Sequence, residues 1–516
     1  MIGELLGVGY FPSELPPSFT TDNFATTMAR AAHANQVPGS FRTARSAKLC
    51  PFSLARGGNF RFRRRLSIVN PIHYFNLSSS IAANWAALVA EINRSTLSHS
   101  KPIVDLSLQR AVRAVKTRRE LLPIRARNRS GSIAIVLADI SEFYHSIYTH
   151  SIPWALHTKP TAKANMRARG AALLGDEIDK LVRKAQDDQT MGVPIGPDTS
   201  FIISEVVLAA ADRELLDRAP RAKGVRYFDD YELPCSQLAE AEAMLADLQE
   251  VLLGYELRLN PRKTSVQLPP IEFESEWVRE IRAFDFRTTA SGEAIDLIGY
   301  FDLVTKHRMA RPDEHIAKYA ITRLVDKKFV PHDHNLLLFQ SLLCQIATAE
   351  PGSIREVMVS LIHVSTQGKA LDRDLISETL GSVVVRHAQL GHHYEVAWCL
   401  WAAIALGLIL EAECVAAISK VDNSVVAILA LDAQQQGLTP GLDTTLWEAH
   451  MGEQDLYDEQ WLLSYEANMH GWLPSLGAGD HVSADANFAF LKAEGVHFYV
   501  SSVPIMIPPL IAGYGP

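Results

Sequence analysis

Two adjacent carboxylates, Asp229 and Asp230, lie within the stretch RYFDDYEL at residues 226–233. The residues before them alternate as in a short strand and the residues after them lead back, which predicts a β-hairpin with both carboxylates at its tip. Adjacent carboxylates repel each other, so keeping both ionised favours a hard cation such as Mg²⁺ or Mn²⁺ beside them. The pair therefore predicts a metal site, although an isolated Asp-Asp pair also occurs in ordinary acidic surface turns.

A third carboxylate, Asp139, follows the apolar run IAIVLA at residues 133–138. A continuous apolar run of this length predicts a central strand that is buried on both faces. We expect a helix from Ser141, so this carboxylate lies between the end of a strand and the start of a helix.

The segments after this strand predict the elements that would bring the carboxylates together. Residues 189–200, QTMGVPIGPDTS, form a Gly/Pro loop before a periodic helix over 201–219. After the Asp-Asp hairpin, a helix begins at Ser236 and ends near Gly254, and YELRLNPRKT at 255–264 predicts a strand with a basic turn. The predicted order is strand, helix, helix, hairpin, helix, strand.

Charge is distributed unevenly along the 516 residues. Residues 41–65 contain eight Lys/Arg and no acid, and 101–130 contain nine Lys/Arg and two acids. The segment 55–71 has a Gly-Gly turn between two alternating stretches, which predicts a hairpin that presents arginines. Residues 401–516 contain two lysines and fourteen acids. We therefore expect the front of the chain to attract polyanions and the tail to repel them.

The composition, 47% hydrophobic and 21% charged, is typical of a soluble globular protein, and the length fits roughly two to four domains. Five widely spaced cysteines without a CxxC pair argue against a disulfide scaffold or a thiolate metal site. The opening residues lack a basic segment before an apolar core, and the longest apolar run, 396–410, is short for a membrane span. We expect a cytoplasmic protein with no membrane partner.

Four features occur in one order: Asp139 at a strand end, the loop GVPIGPDTS at 192–200, the YFDD hairpin and Lys263 in LNPRKT. They resemble motifs A to D of the palm of reverse transcriptases, in which Tyr-x-Asp-Asp is typical, whereas viral RNA replicases prefer Gly-Asp-Asp. The resemblance covers residues 60 to about 268. It implies a nucleotidyltransferase in which Mg²⁺ or Mn²⁺ on Asp139 and Asp229 activates an attacking hydroxyl and neutralises the leaving pyrophosphate, with Asp230 a weaker ligand.

The resemblance also implies roles for residues around these carboxylates. Lys263 would protonate pyrophosphate, and Tyr144 would act as the steric gate that rejects a ribose 2′-hydroxyl. Gly192, Pro194 and Gly196 would let the backbone approach the nucleotide closely, although the family's usual PQG is PIG here. Lys263 and Tyr144 each also have an ordinary explanation, as an exposed turn lysine and a core aromatic.

On the fingers side, RRRL at 63–66 resembles the Arg-x-Leu of motif 2. Arg64 is therefore the first candidate for a triphosphate contact, with Arg61 and Arg63 as competitors. Arginine suits phosphate because its guanidinium donates two parallel hydrogen bonds. The alternative is a solvated basic face.

The stretches DISEFYHSIYTHSIPW at 139–154, RYFDDY and LNPRKT resemble the bacterial abortive-infection reverse transcriptases, a group that defends against bacteriophage. This resemblance implies an enzyme that joins dNTPs without a nucleic-acid template, starts from a protein tyrosine and leaves single-stranded DNA covalently attached to it. It also implies a homo-oligomer and a C-terminal α-helical repeat domain in place of a thumb. The Ala/Leu-rich helical patterns beyond about residue 305 agree with such a domain.

The predicted fold is α+β, with right-hand-like polymerase fingers and palm followed by an all-α helical repeat domain. We expect the fingers, palm and N-terminal extension over residues 1–304 and the helical domain over 305–516. Two alternatives remain open: a templated reverse transcriptase (RNA-directed DNA polymerase) of retron or group II intron type, and an inactive palm that serves as an RNA-binding scaffold. The acidic tail argues against the first because a templated enzyme needs a thumb and a basic template-gripping surface, and the intact carboxylates argue against the second.

A template-free enzyme needs an attacking hydroxyl from the protein, and a tyrosine phenol is more acidic than an aliphatic hydroxyl. Tyr10 lies in the Gly/Pro-rich segment GVGYFPSELPP, which we expect to be mobile. It is the first candidate for priming, with Tyr74 and Tyr148 behind it. The alternative is a packed N-terminal aromatic.

Overall fold

The structure, a computed structural model, describes residues 1–107, 109–168 and 173–501. It is rich in helix and contains three small sheets, two of two strands and one of four, which agrees with the predicted α+β class. The five cysteines are buried and free of disulfide bonds. None of the described helices is both long enough and apolar enough to cross a membrane.

Short helices and strands alternate through the first 130 residues. In chain order they are α1 (Ile2–Leu6), α2 (Asp22–His33), β1 (Cys50–Arg56), β2 (Asn59–Ile68), α3 (Pro71–Ala83), α4 (Trp85–Asn93), β3 (Pro102–Val104), β4 (Val112–Ala114) and α5 (Arg118–Arg129). The segment to residue 267 contains β5 (Ala134–Asp139), α6 (Phe143–Ser146), α7 (Ser151–His157), α8 (Lys159–Ala168), α9 (Leu174–Lys184), α10 (Asp198–Arg218), β6 (Val225–Tyr227), β7 (Asp230–Cys235), α11 (Leu238–Gly254) and β8 (Ser265–Gln267).

The rest of the described chain forms helices and short 3₁₀ turns. The helices are α12 (Glu276–Ala283), α13 (Ala290–Ala310), α14 (Ile316–Asp326), α15 (Leu336–Ala349), α16 (Ile354–Thr366), α17 (Arg373–Gln389), α18 (His393–Leu406), α19 (Ala412–Ile418), α20 (Ser424–Gln435), α21 (Thr445–Glu448), α22 (Trp461–Met469), α23 (His481–Ala484) and α24 (Ala486–Ala493). Alternate helices pack on one another: α14 on α16, α16 on α18, α18 on α20, and α20 on α22.

The four-stranded sheet has the order β6-β7-β5-β8, and its neighbouring strands are antiparallel. The run IAIVLA supplies β5, which lies between two other strands and is largely buried, as predicted. Strand β7 pairs with β5 so that Asp230 lies opposite Asp139. The register of one strand pair therefore brings two of the predicted metal ligands together.

The strand predicted at 255–264 is wrong. This segment makes one isolated bridge, between Leu259 and Ile140, and the strand is β8, which follows it. A local turn accounts for the difference, because the Asn260 side chain accepts a hydrogen bond from the Arg262 N–H at 3.1 Å and Pro261 has no N–H for a ladder.

One other local prediction differs from the structure in extent. The helix expected from Ser141 is the single turn α6, which follows Glu142 in a left-handed conformation (φ 46°). The basic run after Arg110 forms β4 before α5, and α5 begins with a capping box in which Thr117 and Glu120 exchange hydrogen bonds. The arginine-bearing hairpin predicted at 55–71 is confirmed as β1 and β2.

The hydrophobic interior divides into two main cores. One is the core of the four-stranded sheet and the helices around it, with residues such as Val136, Ile202 and Leu248. The other joins the first 75 residues to helices of the last 240, with Phe52 of β1 and Trp398 of α18 among its members. The boundary predicted between residues 304 and 305 lies inside α13, and the helical region begins earlier, at α12.

Ion pairs connect the same two parts of the chain as this second core. Lys48 lies 3.0 Å from Asp458, and Arg65 lies 3.5 Å from Glu459, so acids of the tail partly neutralise the basic front of the chain. Hydrogen bonds add to these pairs, since the Trp398 indole donates to the Glu14 carbonyl at 2.9 Å. The described contacts of the helical region thus fall mainly on the N-terminal segment and the β1–β2 hairpin.

Candidate active site

Three carboxylates meet at the end of the four-stranded sheet. Asp139 ends β5 and is 7% exposed, and Asp230 begins β7 directly opposite it. Asp229 occupies the two-residue turn between β6 and β7, where it and Asp230 are half-buried. The preceding residue, Phe228, has a positive φ of 54°, which is unusual for a side chain of this size. The turn opens the cluster to solvent on one side.

The environment of these carboxylates disfavours negative charge. Burial raises the pKa of Asp229 to about 7, and repulsion from Asp230 and Asp139 adds to this effect. Burial also raises the pKa of Asp230, although the guanidinium of Arg118, 3.8 Å away, opposes that rise. Carboxylate oxygens with too little positive charge around them suit a divalent hard cation, so the three residues fit the predicted Mg²⁺ or Mn²⁺.

Lys263 supplies part of the missing positive charge. Its Nζ lies 2.8 Å from Oδ2 of Asp139, and the Asn260 amide donates to Oδ1 at 3.0 Å. The Asn260 N–H also donates to the Asp139 carbonyl at 2.7 Å, which ties the turn at 260–263 to the end of β5. The lysine side chain is 61% exposed and reaches the carboxylates from solvent. Its part in protonating pyrophosphate stays a prediction.

A buried ionic network underlies the β6–β7 hairpin, and the sequence interpretation missed it. Arg226 of β6 is fully buried and lies between two acids of α10. Its Nη1 is 2.8 Å from Glu205, and its Nε is 2.8 Å from Asp212. Nη1 also donates to the Phe228 carbonyl at 3.0 Å, so this guanidinium holds the backbone of the turn beside Asp229.

Hydroxyl groups complete this network. They donate to the two acids at 2.5–2.9 Å and come from Ser95, Ser98, Ser100 and Tyr231. The Ser100 hydroxyl also accepts from the Phe228 N–H at 2.7 Å, which fixes the other side of the turn. The signal in the sequence was two acids, seven residues apart, in the apolar helix FIISEVVLAAADRELL. Such acids need buried partners, and Arg226 is the nearest candidate in the next strand.

The loop between α9 and α10 lies against the residues that follow Asp139. The Gly192 N–H donates to the Ile147 carbonyl at 2.8 Å, and the Val193 N–H donates to the Tyr144 carbonyl at 2.8 Å. Gly192 has a φ of 85°, and an added Cβ would lie 3.2 Å from the His145 carbonyl oxygen. Tyr144 is half-buried and packs beside Phe143. Pro194, the third loop residue predicted to approach the nucleotide, is buried.

Gly196 lies against the N-terminal segment of the chain. An added Cβ would lie 2.6 Å from Cγ of Pro12, so this glycine makes room for the N-terminal segment. Its φ of 133° also disfavours any other residue. Its carbonyl accepts a hydrogen bond from Arg110 at 2.7 Å. Contact with the chain's own N-terminal segment therefore gives Gly196 a structural role, and its approach to a nucleotide stays a prediction.

Arg63 pairs with an acid of the helical region, and its contact with a triphosphate stays a prediction. Both of its terminal nitrogens lie 2.7 Å from the carboxylate oxygens of Glu395, a fully buried residue of α18, and Nη2 also donates to the Ser53 carbonyl at 2.7 Å. Successive side chains of a strand point to opposite faces, so the next residue, Arg64, points away from α18. Burial lowers the pKa of His145, and the nearby charge of Arg64 lowers it further. Arg64 is exposed and lies near His145 of α6.

Tyr10 is packed in the protein interior, as in the alternative of a packed N-terminal aromatic, so a priming role would require the side chain to leave this packing. The side chain is fully buried, its hydroxyl donates to the Val69 carbonyl, and its ring stacks on Tyr74 with a centroid distance of 3.9 Å. Burial raises the pKa of Tyr10 well above its usual value, which opposes formation of a phenolate. Tyr74 is equally buried and donates to the Leu5 and Gly9 carbonyls at 2.8 Å.

Tyr148 differs from both because it is only half-buried. It follows α6, its backbone bridges to Met191 of the Gly/Pro loop, and its ring meets Trp154 at 5.6 Å. Of the three tyrosines considered for priming, it alone keeps an exposed part of the side chain.

Comparison with protein families gives one match. Residues 91–300 match the family described as "Reverse transcriptase (RNA-dependent DNA polymerase)". The matched segment includes the four-stranded sheet, the three carboxylates and Lys263, and it leaves out the β1–β2 hairpin and most of the helical region. No curated protein sequence matches the chain significantly.

Proposed function

We propose that this chain joins dNTPs with Mg²⁺ or Mn²⁺ held by Asp139, Asp229 and Asp230. It carries a reverse transcriptase domain at residues 91–300 and is therefore a nucleotidyltransferase of the DNA polymerase class. The observation that carries this proposal is the meeting of the three carboxylates at the solvent-open end of one sheet. The bound cations would lower the pKa of the attacking hydroxyl and neutralise charge on the pyrophosphate that leaves.

The remaining residues of the site would position the substrate and transfer a proton. Lys263 has to release Asp139 when a cation binds there, and its exposed side chain can then donate a proton to the leaving pyrophosphate. Arg64 is the candidate for the triphosphate because it is exposed beside α6, whereas Arg63 is bound by Glu395. Tyr144 would contact the sugar and reject a ribose 2′-hydroxyl.

We propose further that synthesis needs no template and serves abortive-infection defence against bacteriophage, with the helical region in place of a thumb. The resemblance of residues 139–154 and of the two later motifs supports this subfamily. The packing of alternate helices, α14 on α16 through α20 on α22, supports a repeat-like arrangement. The acids of this region, which pair with Lys48 and Arg65, argue against a template-gripping surface there. Assembly into a homo-oligomer and a cytoplasmic location belong to the same proposal.

For the priming hydroxyl we propose Tyr148. Tyr10 and Tyr74 are buried with both hydroxyls bound to backbone carbonyls, so neither can reach a metal site without unfolding of its surroundings. Tyr148 is half-buried on the segment that follows Asp139 and contacts the loop that packs against that segment. The DNA would then remain covalently attached through a tyrosyl phosphodiester.

Incubation of the pure protein with labelled dNTPs and Mg²⁺, without nucleic acid, tests this proposal. We expect label that stays with the protein on a denaturing gel, that protease releases, and that maps to Tyr148 by peptide mass spectrometry after nuclease digestion. Tyr148→Phe should abolish the label, and Tyr10→Phe is the matched control that should retain it.

Every other outcome of this experiment supports a different hypothesis. Incorporation that appears only after addition of an RNA template and primer would favour a templated reverse transcriptase of retron or group II intron type. A folded protein that incorporates nothing under either condition would favour an inactive scaffold. A nucleotide adduct on another tyrosine would keep the protein-primed reaction and reject Tyr148.

A further inference from the structure

Three metal-ligating side chains meet far from the palm, in the last part of the helical region. Glu466 lies on α22, His470 follows the end of that helix, and His497 lies beyond α24. Glu466 is fully buried, and its Oε2 is 3.3 Å from Nε2 of His470 and 3.6 Å from Nδ1 of His497. One ligand atom from each residue lies within 4.8 Å of the other two. The carboxylate oxygen thus faces two imidazoles.

Only one of the two carboxylate oxygens of Glu466 has a hydrogen-bond partner among the described residues. Oε1 accepts from the Phe498 N–H at 2.6 Å. Oε2 and the His497 Nδ1 are buried and have no hydrogen-bond partner among the described residues. A buried oxygen of an ionised carboxylate without a partner is costly, so this arrangement calls for a positive charge between the three side chains.

The spacing of the ligand atoms favours a metal ion over direct hydrogen bonds. Nitrogen-to-oxygen hydrogen bonds are about 2.7–3.2 Å long. A tetrahedral Zn²⁺ with bonds of about 2.0–2.2 Å separates its ligand atoms by about 3.3–3.6 Å. The two separations from Glu466 Oε2, 3.3 and 3.6 Å, correspond to edges of that tetrahedron. The His470 Nε2 also makes a long hydrogen-bond contact, 3.4 Å, with the Tyr499 carbonyl oxygen.

We propose that Glu466, His470 and His497 bind one Zn²⁺. Two imidazoles and one carboxylate form a ligand set typical of zinc, and the neutral imidazole supplies the lone pair. The His470 ring stacks on Trp472 at 4.2 Å with an angle of 12° between the planes, which holds its orientation. The side chains of His470 and His497 are 22% and 35% exposed, so a water molecule can reach the fourth position.

A second cluster of the same composition provides a contrast. His387, His392 and Glu395 also lie within 4.8 Å of one another, and all three are buried. Here the guanidinium of Arg63 lies 2.7 Å from each oxygen of Glu395, and the two histidines face each other through Nδ1 atoms 2.8 Å apart. A fixed cation on the carboxylate opposes a divalent ion, so this second cluster should not bind zinc.

The zinc would fasten the N-terminal segment to the helical region. His497 directly precedes Phe498, whose carbonyl accepts from the Thr20 N–H at 3.0 Å, and the Val500 N–H donates to the Ser18 carbonyl at 2.9 Å. Phe498 also packs against Tyr10 and Phe24 in the core of the N-terminal segment. A metal on His497 would therefore hold the strand-like residues 498–500 in place against residues 18–20.

Metal titration of the full-length protein tests the proposal. Chelator-treated protein in excess Mg²⁺, which occupies the palm, is titrated with Zn²⁺ in competition with a chromogenic chelator, and Co²⁺ is added in parallel for its visible absorption. We expect one Zn²⁺ per chain, an absorption band of tetrahedral Co²⁺, and a rise in the thermal midpoint on metal addition. His497→Ala should weaken binding by about 100-fold or more, because it removes one of three protein ligands.

Matched variants separate this site from others. His392→Ala, in the second cluster, should keep wild-type zinc affinity. Asp229→Asn should also keep it, because the palm carboxylates are not ligands of the proposed zinc site. Glu466→Gln retains the acceptor for the Phe498 N–H and should lose zinc while remaining folded by circular dichroism.

Two results would overturn the proposal. One is wild-type protein that binds no stoichiometric Zn²⁺ and gives no tetrahedral Co²⁺ spectrum, a result that needs no variant. The other is His470→Ala or His497→Ala with unchanged zinc affinity. Either would leave an ordinary ion pair between Glu466 and His497, a contact that raises the pKa of the imidazole.

Discussion

Replacing Arg226 with methionine should destabilise the catalytic hairpin, because it leaves Glu205 and Asp212 buried without their shared cation. Breaking a buried ion pair by removing one partner costs about 3–5 kcal/mol. The Phe228 carbonyl also loses its donor from Nη1, which adds about 1 kcal/mol. The expected loss, about 4–6 kcal/mol, is a large fraction of the roughly 5–15 kcal/mol that stabilises a typical domain.

The loss should depend on pH. Burial already raises the pKa of Asp212, and without the guanidinium that pKa rises further in the folded state. A carboxyl whose pKa is raised by folding stabilises the fold when protonated, and that contribution disappears as pH rises through the folded-state pKa. The Arg226→Met protein should therefore be closer to wild type at pH 5 than at pH 8.

Urea unfolding, followed by tryptophan fluorescence at both pH values, measures this effect. Tyr231→Phe is the matched control, because it removes a single hydrogen bond to Asp212 and should cost about 1 kcal/mol. Nucleotide incorporation per folded molecule should fall in Arg226→Met, since the backbone of the turn that carries Asp229 loses its support. An Arg226→Met protein within about 1 kcal/mol of wild type at pH 8, with full incorporation, would refute the reasoning.

Three further predictions concern the palm and the N-terminal segment. The pKa of Asp229 is raised to about 7, and protons compete with metal for its carboxylate. Mg²⁺ affinity measured by calorimetry should therefore rise about tenfold from pH 6 to pH 8, and Asp229→Asn should remove this pH dependence. A flat affinity profile in wild type would contradict the raised pKa. Tyr144→Ala should raise the use of ribonucleotides relative to deoxynucleotides in paired competition assays, and an unchanged ratio would reject the gate. Tyr10→Phe should keep wild-type labelling and lose about 1 kcal/mol of stability with the hydrogen bond to Val69, whereas lost labelling in a folded protein would restore Tyr10 as the primer.

The three carboxylates of the candidate site could be located from the sequence because local patterns determine their positions. A buried apolar run ending in Asp139 and a hairpin with Asp229 and Asp230 at its turn each follow from residue types within ten positions. Strand pairing then leaves little freedom, since β5 and β7 are buried and register is fixed by the buried face.

Properties that depend on distant partners could not be predicted in this way. Tyr10 lies in a segment whose glycines and prolines are typical of mobile chain, yet aromatic residues such as Phe498, almost 500 positions later, pack around it. Arg63 and Arg64 could be ranked only by their resemblance to motif 2, because strand alternation separates their faces without indicating that Glu395 lies on one of them. Gly196 likewise accommodates Pro12, a contact that no local pattern indicates.

The central claim is that Asp139, Asp229 and Asp230 form a metal-dependent nucleotidyl-transfer site. The most direct measurement compares wild type with Asp229→Asn in two assays on the same preparations, Mn²⁺ binding by electron paramagnetic resonance and incorporation of labelled dNTPs. Folding of both proteins is checked by circular dichroism. We predict that the folded Asp229→Asn protein binds Mn²⁺ weakly at this site and incorporates no detectable nucleotide. Wild-type incorporation by the folded Asp229→Asn protein would contradict the account.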